Sequence, residues 1–169
     1  EYRKKFDHIS DSDELNRLIY QLAKKMLLHR TGTTFEDMYW IDVELLEVVA
    51  EELDGTIEKE ITYSKNTKDV VLKYKGSDNN LLTIHSHPNS FPPSIVDFNS
   101  NFDNDYGIGL VICHNGKIYM YSSNECINED YYNLVVADYL QKGYNDIEAQ
   151  LNALDEIKEN FNISIKEVV

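Results

Sequence analysis

Apolar residues recur at helical spacing through Leu15, Leu18, Ile19, Leu22, Ala23, Met26 and Leu27, behind the cap-forming run Ser10-Asp11-Ser12-Asp13. This stripe predicts an N-terminal helix over about 11–29, with Gly32 as its stop. The aromatic segment 35–42 reads as a strand. The next segment reads two ways: Leu45, Leu46, Val49 and Leu53 make a helical stripe, with Asp42 as cap and Gly55 as stop, whereas Leu46, Val48 and Ala50 alternate like one strand face. Pattern alone favours the helix. Alternation predicts a strand over 56–63, and a short helix carrying Val70 and Val71 is expected over 65–73. Segment 81–84 runs as a strand into His85-Ser86-His87, and Pro88 ends it. Small and β-branched residues predict a buried strand over 107–113, and Asn115-Gly116 turns it back into a partner strand over 117–121. Helices follow over 131–140 and 147–161, separated by Gly143. The prediction is a single α+β domain over 1–169, with a central mixed sheet between an N-terminal helix and C-terminal helices (about 128–161).

Composition narrows the function classes. Hydrophobic residues make up 42 % and charged residues 27 % of the 169 positions, enough for one buried core. No apolar run has the length of a membrane span, and no charged-then-apolar leader opens the chain, which starts at Glu1 rather than Met, as an excised, processed or cloned piece of a longer protein would. The formal charge of -14 repels phosphate backbones and argues against nucleic acid as the main partner. Cys113 and Cys126 are too few for a disulfide framework and form no Cys-x-x-Cys pair, so they read as buried thiols in a reducing, cytoplasmic setting.

The chemistry lies in His85-Ser86-His87-Pro88-Asn89-Ser90-Phe91-Pro92-Pro93-Ser94-Ile95-Val96-Asp97. Side chains two apart on a strand share a face, so His85 and His87 can present both imidazoles to one ion. Ser94 can cap a following helix and hold Asp97 one turn inside it, which brings a carboxylate back to the imidazoles. Two imidazoles and a carboxylate are a zinc donor set with a fourth position open to water. Zinc lowers the pKa of such a water from 15.7 to roughly 7. Each piece has a plainer use, Ser94 as a cap and Asp97 as a first-turn acid, but the full set behind a strand is specific.

These residues resemble the JAMM (MPN-plus) metallopeptidase family, whose motif is a distant glutamate, His-x-His, a short loop and Ser-x-x-Asp. The resemblance covers a catalytic core of about 35–121. It is closest to the bacterial and phage branch found in minor head and toxin-like proteins, on His29-Arg30-x-Gly32-Thr33-x-x-Glu36-Asp37 and Pro92-Pro93-Ser94-x-x-Asp97-Phe98-Asn99-Ser100. Six residues separate His87 from Ser94, where the common eukaryotic form has seven. The resemblance implies one zinc ion on His85, His87 and Asp97, with Ser94 stabilising an oxyanion and an earlier glutamate as general base. Glu36 is the first choice for that base, and Glu47 and Glu51 are the runners-up. The family fold also implies a strand over 46–51, against the helical pattern. The function expected is hydrolysis of a peptide or isopeptide bond in a polypeptide or ubiquitin-like conjugate. The alternatives are a structural adaptor in phage head assembly and a hydrolase of non-peptide amides.

Overall fold

In the computed structural model, which describes residues 1–29, 32–77 and 81–169, the chain alternates strands and helices around one sheet. A short helix α1 (Tyr2–Lys5) and a 3-10 turn (Phe6–His8) precede the long helix α2 (Asp13–Leu28). Strands β1 (Met38–Asp42) and β2 (Glu47–Glu52), helix α3 (Lys65–Tyr74), strand β3 (Leu81–His87) and helix α4 (Ile95–Asp103) follow. The chain then makes strands β4 (Gly109–Cys113) and β5 (Ile118–Ser123), helices α5 (Glu129–Gln141) and α6 (Asp146–Ile157), and strand β6 (Ile163–Glu167). The six strands lie in the order β2-β1-β3-β4-β5-β6, with β3 and β4 parallel and every other pair antiparallel. The α+β class, mixed sheet and helices toward both ends agree with the sequence prediction. Among the described residues no helix is long and apolar enough to cross a membrane.

Helix α2 starts where Ser12 accepts the Leu15 amide at 3.1 Å, a cap worth about 1 kcal/mol. Its apolar stripe, Ile19, Leu22, Ala23 and Met26, packs on Ile41, Ile84, Leu110 and Ile112 on one face of the sheet. Each such large side chain stabilises the fold by about 1.5–3 kcal/mol on burial. The other face carries Val111 and Tyr119 against Phe98 of α4 and Leu154 and Ile157 of α6, while Trp40, Leu81 and Val71 form a smaller cluster beside them. At the β4–β5 hairpin, Gly116 has φ 94, the left-handed conformation that glycine adopts without a side-chain clash.

Segment 42–53, whose pattern alone favours a helix, is a turn and then β2, close to the strand expected over 46–51: Asp42 Oδ1 accepts the amides of Glu44 and Leu45, and Leu46 takes φ 56, which ends any helix there. Four sequence expectations are corrected. The strand expected over 56–63 does not form, because Lys59 has φ 57 and its amide bonds Thr34 O at 2.8 Å, bending the segment over the sheet edge. Helix α6 stops at Ile157, and the alternation Ile163-Ser164-Ile165 makes the edge strand β6 on β5. Cys126 is exposed, with Sγ 3.5 Å from Asp103 Oδ1; Cys113 is buried as expected. Strand β1 also starts at Met38, three residues later than read. Arg30 and Thr31 of the quoted motif lie outside the described residues.

Asp42 ties this edge together, since Oδ2 also accepts the Tyr74 hydroxyl at 2.6 Å. The Tyr74 bond, opposed by burial and helped by the turn amides, holds its carboxyl below the ordinary 3.8. A depressed carboxylate contributes stability above its unfolded pKa and loses it as pH falls through the folded value. Asp42→Ala is therefore expected to lower unfolding free energy by about 1–3 kcal/mol at neutral pH. The difference from the parent shrinks in denaturant titrations taken below pH 3.8.

Candidate metal centre

Strand β3 is buried throughout, and its alternation puts His85 and His87 on the face away from α2. Parallel pairing with β4 and antiparallel pairing with β1 hold it from both sides, so the two imidazoles stand on a stiff central strand. After Pro88 the chain loops out and returns at Ser94, the N-cap of α4. Ser94 Oγ accepts the Asp97 amide at 3.1 Å, and Asp97 Oδ2 accepts the Ser94 amide at 2.8 Å, a reciprocal capping box. The cap that starts the helix thus also aims the carboxylate.

Asp97 Oδ2 lies 3.3 Å from His85 Nε2 and 3.5 Å from His87 Nε2, and the two Nε2 atoms are 3.1 Å apart. A tetrahedral ion with metal–ligand bonds of about 2.0–2.1 Å spaces its ligands about 3.3 Å apart, so the triangle has the size a zinc-like ion requires. His87 Nδ1 donates to the Phe91 carbonyl at 2.9 Å, which turns the Nε2 lone pair toward the triangle. His85 Nδ1 is buried, with no hydrogen-bond partner among the described residues. Glu36 Oε2 sits 4.0 Å from His87 Nε2, just outside the triangle. Glu36, His85 and His87 could together hold a metal ion, their ligand atoms lying within 4.8 Å of one another. Asp97 Oδ2 is nearer to both imidazoles than that limit requires, so it too has the reach of a third ligand, with Glu36 beside it.

The electrostatics follow from burial. Desolvation opposes charge on Asp97, but both imidazoles, by charge and hydrogen bond, outweigh it and hold the carboxyl well below its ordinary value. Desolvation likewise opposes charge on His87, and Asp97, Glu36 and the Phe91 carbonyl outweigh it and raise the imidazole above 6.5. Burial raises the Glu36 carboxyl above 4.5, with His85 and His87 pulling against it. Burial pushes the Cys113 thiol up to about 12, which removes it as a nucleophile.

The triangle opens into a cleft of about 630 Å³ that Ser94 and Ile61 also line, with Tyr63, Tyr106 and Tyr121 as aromatic walls. Tyr63 and Ile61 come from the segment read as a strand, so its alternating apolar residues build the cleft instead of a ladder. Trp40 Nε1 donates to the Tyr106 hydroxyl at 2.9 Å, and the Tyr63 and Tyr106 hydroxyls are 3.0 Å apart, which stiffens one wall. Tyr121 stands edge-on to His85 and to Phe98, ring centroids 6.4 and 5.3 Å apart. It lies over Gly109, its ladder partner on β4, where a β-carbon would overlap the ring. Gly109→Ala is expected to destabilise the fold by about 1–3 kcal/mol through overpacking. Thermal unfolding checks this, and Tyr121→Leu should relieve part of the loss.

The structure brings His85, His87, Asp97, Ser94 and Glu36 to one cleft. It excludes the runner-up glutamates. Glu51 pairs with Tyr39, whose other neighbour is Ile84, so it lies on the α2 side of the sheet. Glu47 pairs with Asp42, opposite Leu81, four residues along β3 from His85 and one strand further out. The pairing of His29 Nδ1 with Asp37 Oδ2 at 2.8 Å was not read from the sequence, which showed no partner at any regular spacing from His29. Compared with protein-family models, curated proteins and solved structures, the chain finds no match in any of the three.

Proposed function

We propose that this protein is a single-zinc hydrolase that cleaves a peptide or isopeptide bond. The observation that carries the reading is the triangle of His85 Nε2, His87 Nε2 and Asp97 Oδ2, with edges of 3.1–3.5 Å, opening into a cleft beside the Glu36 carboxylate. The donor set of two imidazoles and one carboxylate suits zinc, and it leaves one position for solvent or substrate. Bound there, zinc supplies Lewis acidity and an acidified water at neutral pH.

The chain's own residues divide the remaining work. Glu36, buried and with a raised pKa, takes the proton from the attacking water and returns it to the departing amine. Ser94 Oγ accepts the Asp97 amide, which leaves its hydroxyl hydrogen free to donate to the oxygen that gains charge as the carbonyl is attacked. Burial, reinforced by the Asp97 charge, pushes the Tyr121 phenol well above its ordinary value, so this wall of the cleft stays neutral. The aromatic walls exclude bulk water around a substrate chain and strengthen these contacts.

The test is metal analysis of the purified chain followed by zinc-loaded assays on peptide, isopeptide-linked and small-amide substrates. Zinc at one equivalent with cleavage of a peptide or isopeptide bond is the expected result. Cleavage of small amides alone overturns the substrate class. Bound zinc with no cleavage of any of the three leaves the structural, adaptor reading in its place.

A further inference from the structure

Glu36 belongs to no strand or helix, since β1 begins two residues later at Met38. We infer that Ser86, the residue between the two histidines, is a positioning residue that delivers Glu36 to the metal centre through Asp37. The inference rests on the reading of Glu36 as general base. Met38 stands opposite His85 in the β1–β3 ladder. One step beyond the end of β1, the Asp37 amide donates to Ser86 Oγ at 2.9 Å and the Ser86 amide donates to the Asp37 carbonyl at 3.0 Å. The hydroxyl accepts the amide that the next ladder carbonyl would otherwise take, so pairing extends by one residue. The following step sets Glu36 opposite His87, where its carboxylate is found at 4.0 Å.

Alternation gives this pairing its consequence. Ser86 points to the α2 face, and with Asp37 held there Glu36 must face the cleft. A slip of one residue would turn Glu36 toward α2 and remove it from the site. Ser86 and Asp37 are each only 2 % exposed, so water does not readily substitute for the hydroxyl. The Asp37 carboxylate is further tied to His29 at the end of α2, at 2.8 Å. Ser86 faces the α2 side of the sheet, away from the cleft, and its effect passes through Glu36.

The test compares Ser86→Ala, Ser86→Thr, Glu36→Gln and the Ser86→Ala/Glu36→Gln double variant as zinc-loaded full chains. Ser86→Ala is expected to lower kcat about 10–100-fold, as misplacement of a catalytic group by about 1 Å does, with KM and zinc affinity unchanged. Ser86→Thr, which keeps the acceptor, restores the rate, and in the Glu36→Gln background Ser86→Ala has no further effect. A readout independent of turnover is the nuclear Overhauser effect between the Glu36 γ-protons and the His87 ring, present in the parent and Ser86→Thr and lost in Ser86→Ala. If Ser86→Ala does not fold, Ser86→Cys, a poor acceptor of the same shape, takes its place. A full rate and an intact Overhauser effect in Ser86→Ala overturn the inference, as does an equal rate loss in the Glu36→Gln background. Should the parent cleave no substrate, the proposed reaction fails by itself, and the Overhauser comparison alone decides whether Ser86 places Glu36.

Discussion

Alanine at His87 is expected to lower zinc affinity by more than about 100-fold, measured by competition with a chromophoric chelator. Loss of a mere hydrogen-bond partner behind a ligand costs about 10–100-fold, and in the proposed site His87 would supply a ligand atom itself. The parent should gain thermal stability on zinc addition, because an ion that binds only the folded chain stabilises it by mass action, and the variant should gain almost none. The pH dependence has a definite sign. In the metal-free protein His87 is raised above 6.5, so its pairing with Asp97 and Glu36 contributes stability that is full below the unfolded value and is lost as pH rises through the folded one. Zinc needs the deprotonated imidazole, so protons compete, and zinc affinity falls as pH drops through that raised value. Asp97 stays ionised across this range and adds nothing to the slope. The stabilisation by zinc should therefore grow from pH 5 to pH 8 while the metal-free protein loses some stability. Wild-type affinity in His87→Ala, or zinc affinity independent of pH, would remove this imidazole from the centre.

Glu36→Gln is expected to lower kcat by about 10²–10⁴-fold while zinc affinity stays within the parent range, since a positioned general base contributes that much. The amide keeps the size and much of the polarity of the carboxylate but cannot take a proton. It also removes a buried acid whose carboxyl is raised by desolvation, so metal-free stability should not fall. That combination separates the base from a ligand: a ligand's loss empties the site, whereas loss of the base leaves the ion and stops turnover. Chelator competition and single-substrate kinetics on the same preparation make the distinction. A variant that loses zinc along with activity would make Glu36 a fourth ligand, consistent with its donor atom lying within 4.8 Å of both imidazole donors.

How much of this was legible in the sequence can be judged residue by residue. The two imidazoles share a face because a strand repeats every two residues, and Asp97 returns because Ser94 caps the helix that carries it; both are local rules. The terminal helices, the β4–β5 hairpin and the buried strand that carries the histidines were also readable, from periodicity and from Asn115-Gly116. Segment 42–53 stays ambiguous by pattern because its apolar spacing fits two periods, and the positive φ of Leu46 that decides between them leaves no mark in the pattern. Segment 56–63 alternates like a strand, yet its apolar side chains serve the cleft.

The sequence by itself determined which atoms can bind a metal ion, because donor chemistry and short-range geometry are properties of neighbouring residues. It ranked Glu36 above Glu47 and Glu51 only through the family resemblance, not through local geometry. That choice depends on which strands lie beside β3 and in what register, a matter of pairing between residues about 50 positions apart. The sheet order puts β1 next to the histidines and β2 one strand further out, and the Asp37–Ser86 pairing sets the face on which Glu36 emerges. Local propensity carries no information about such long-range pairings, so the candidate ligands could be read from local geometry, whereas the place of Glu36 beside them comes from the fold.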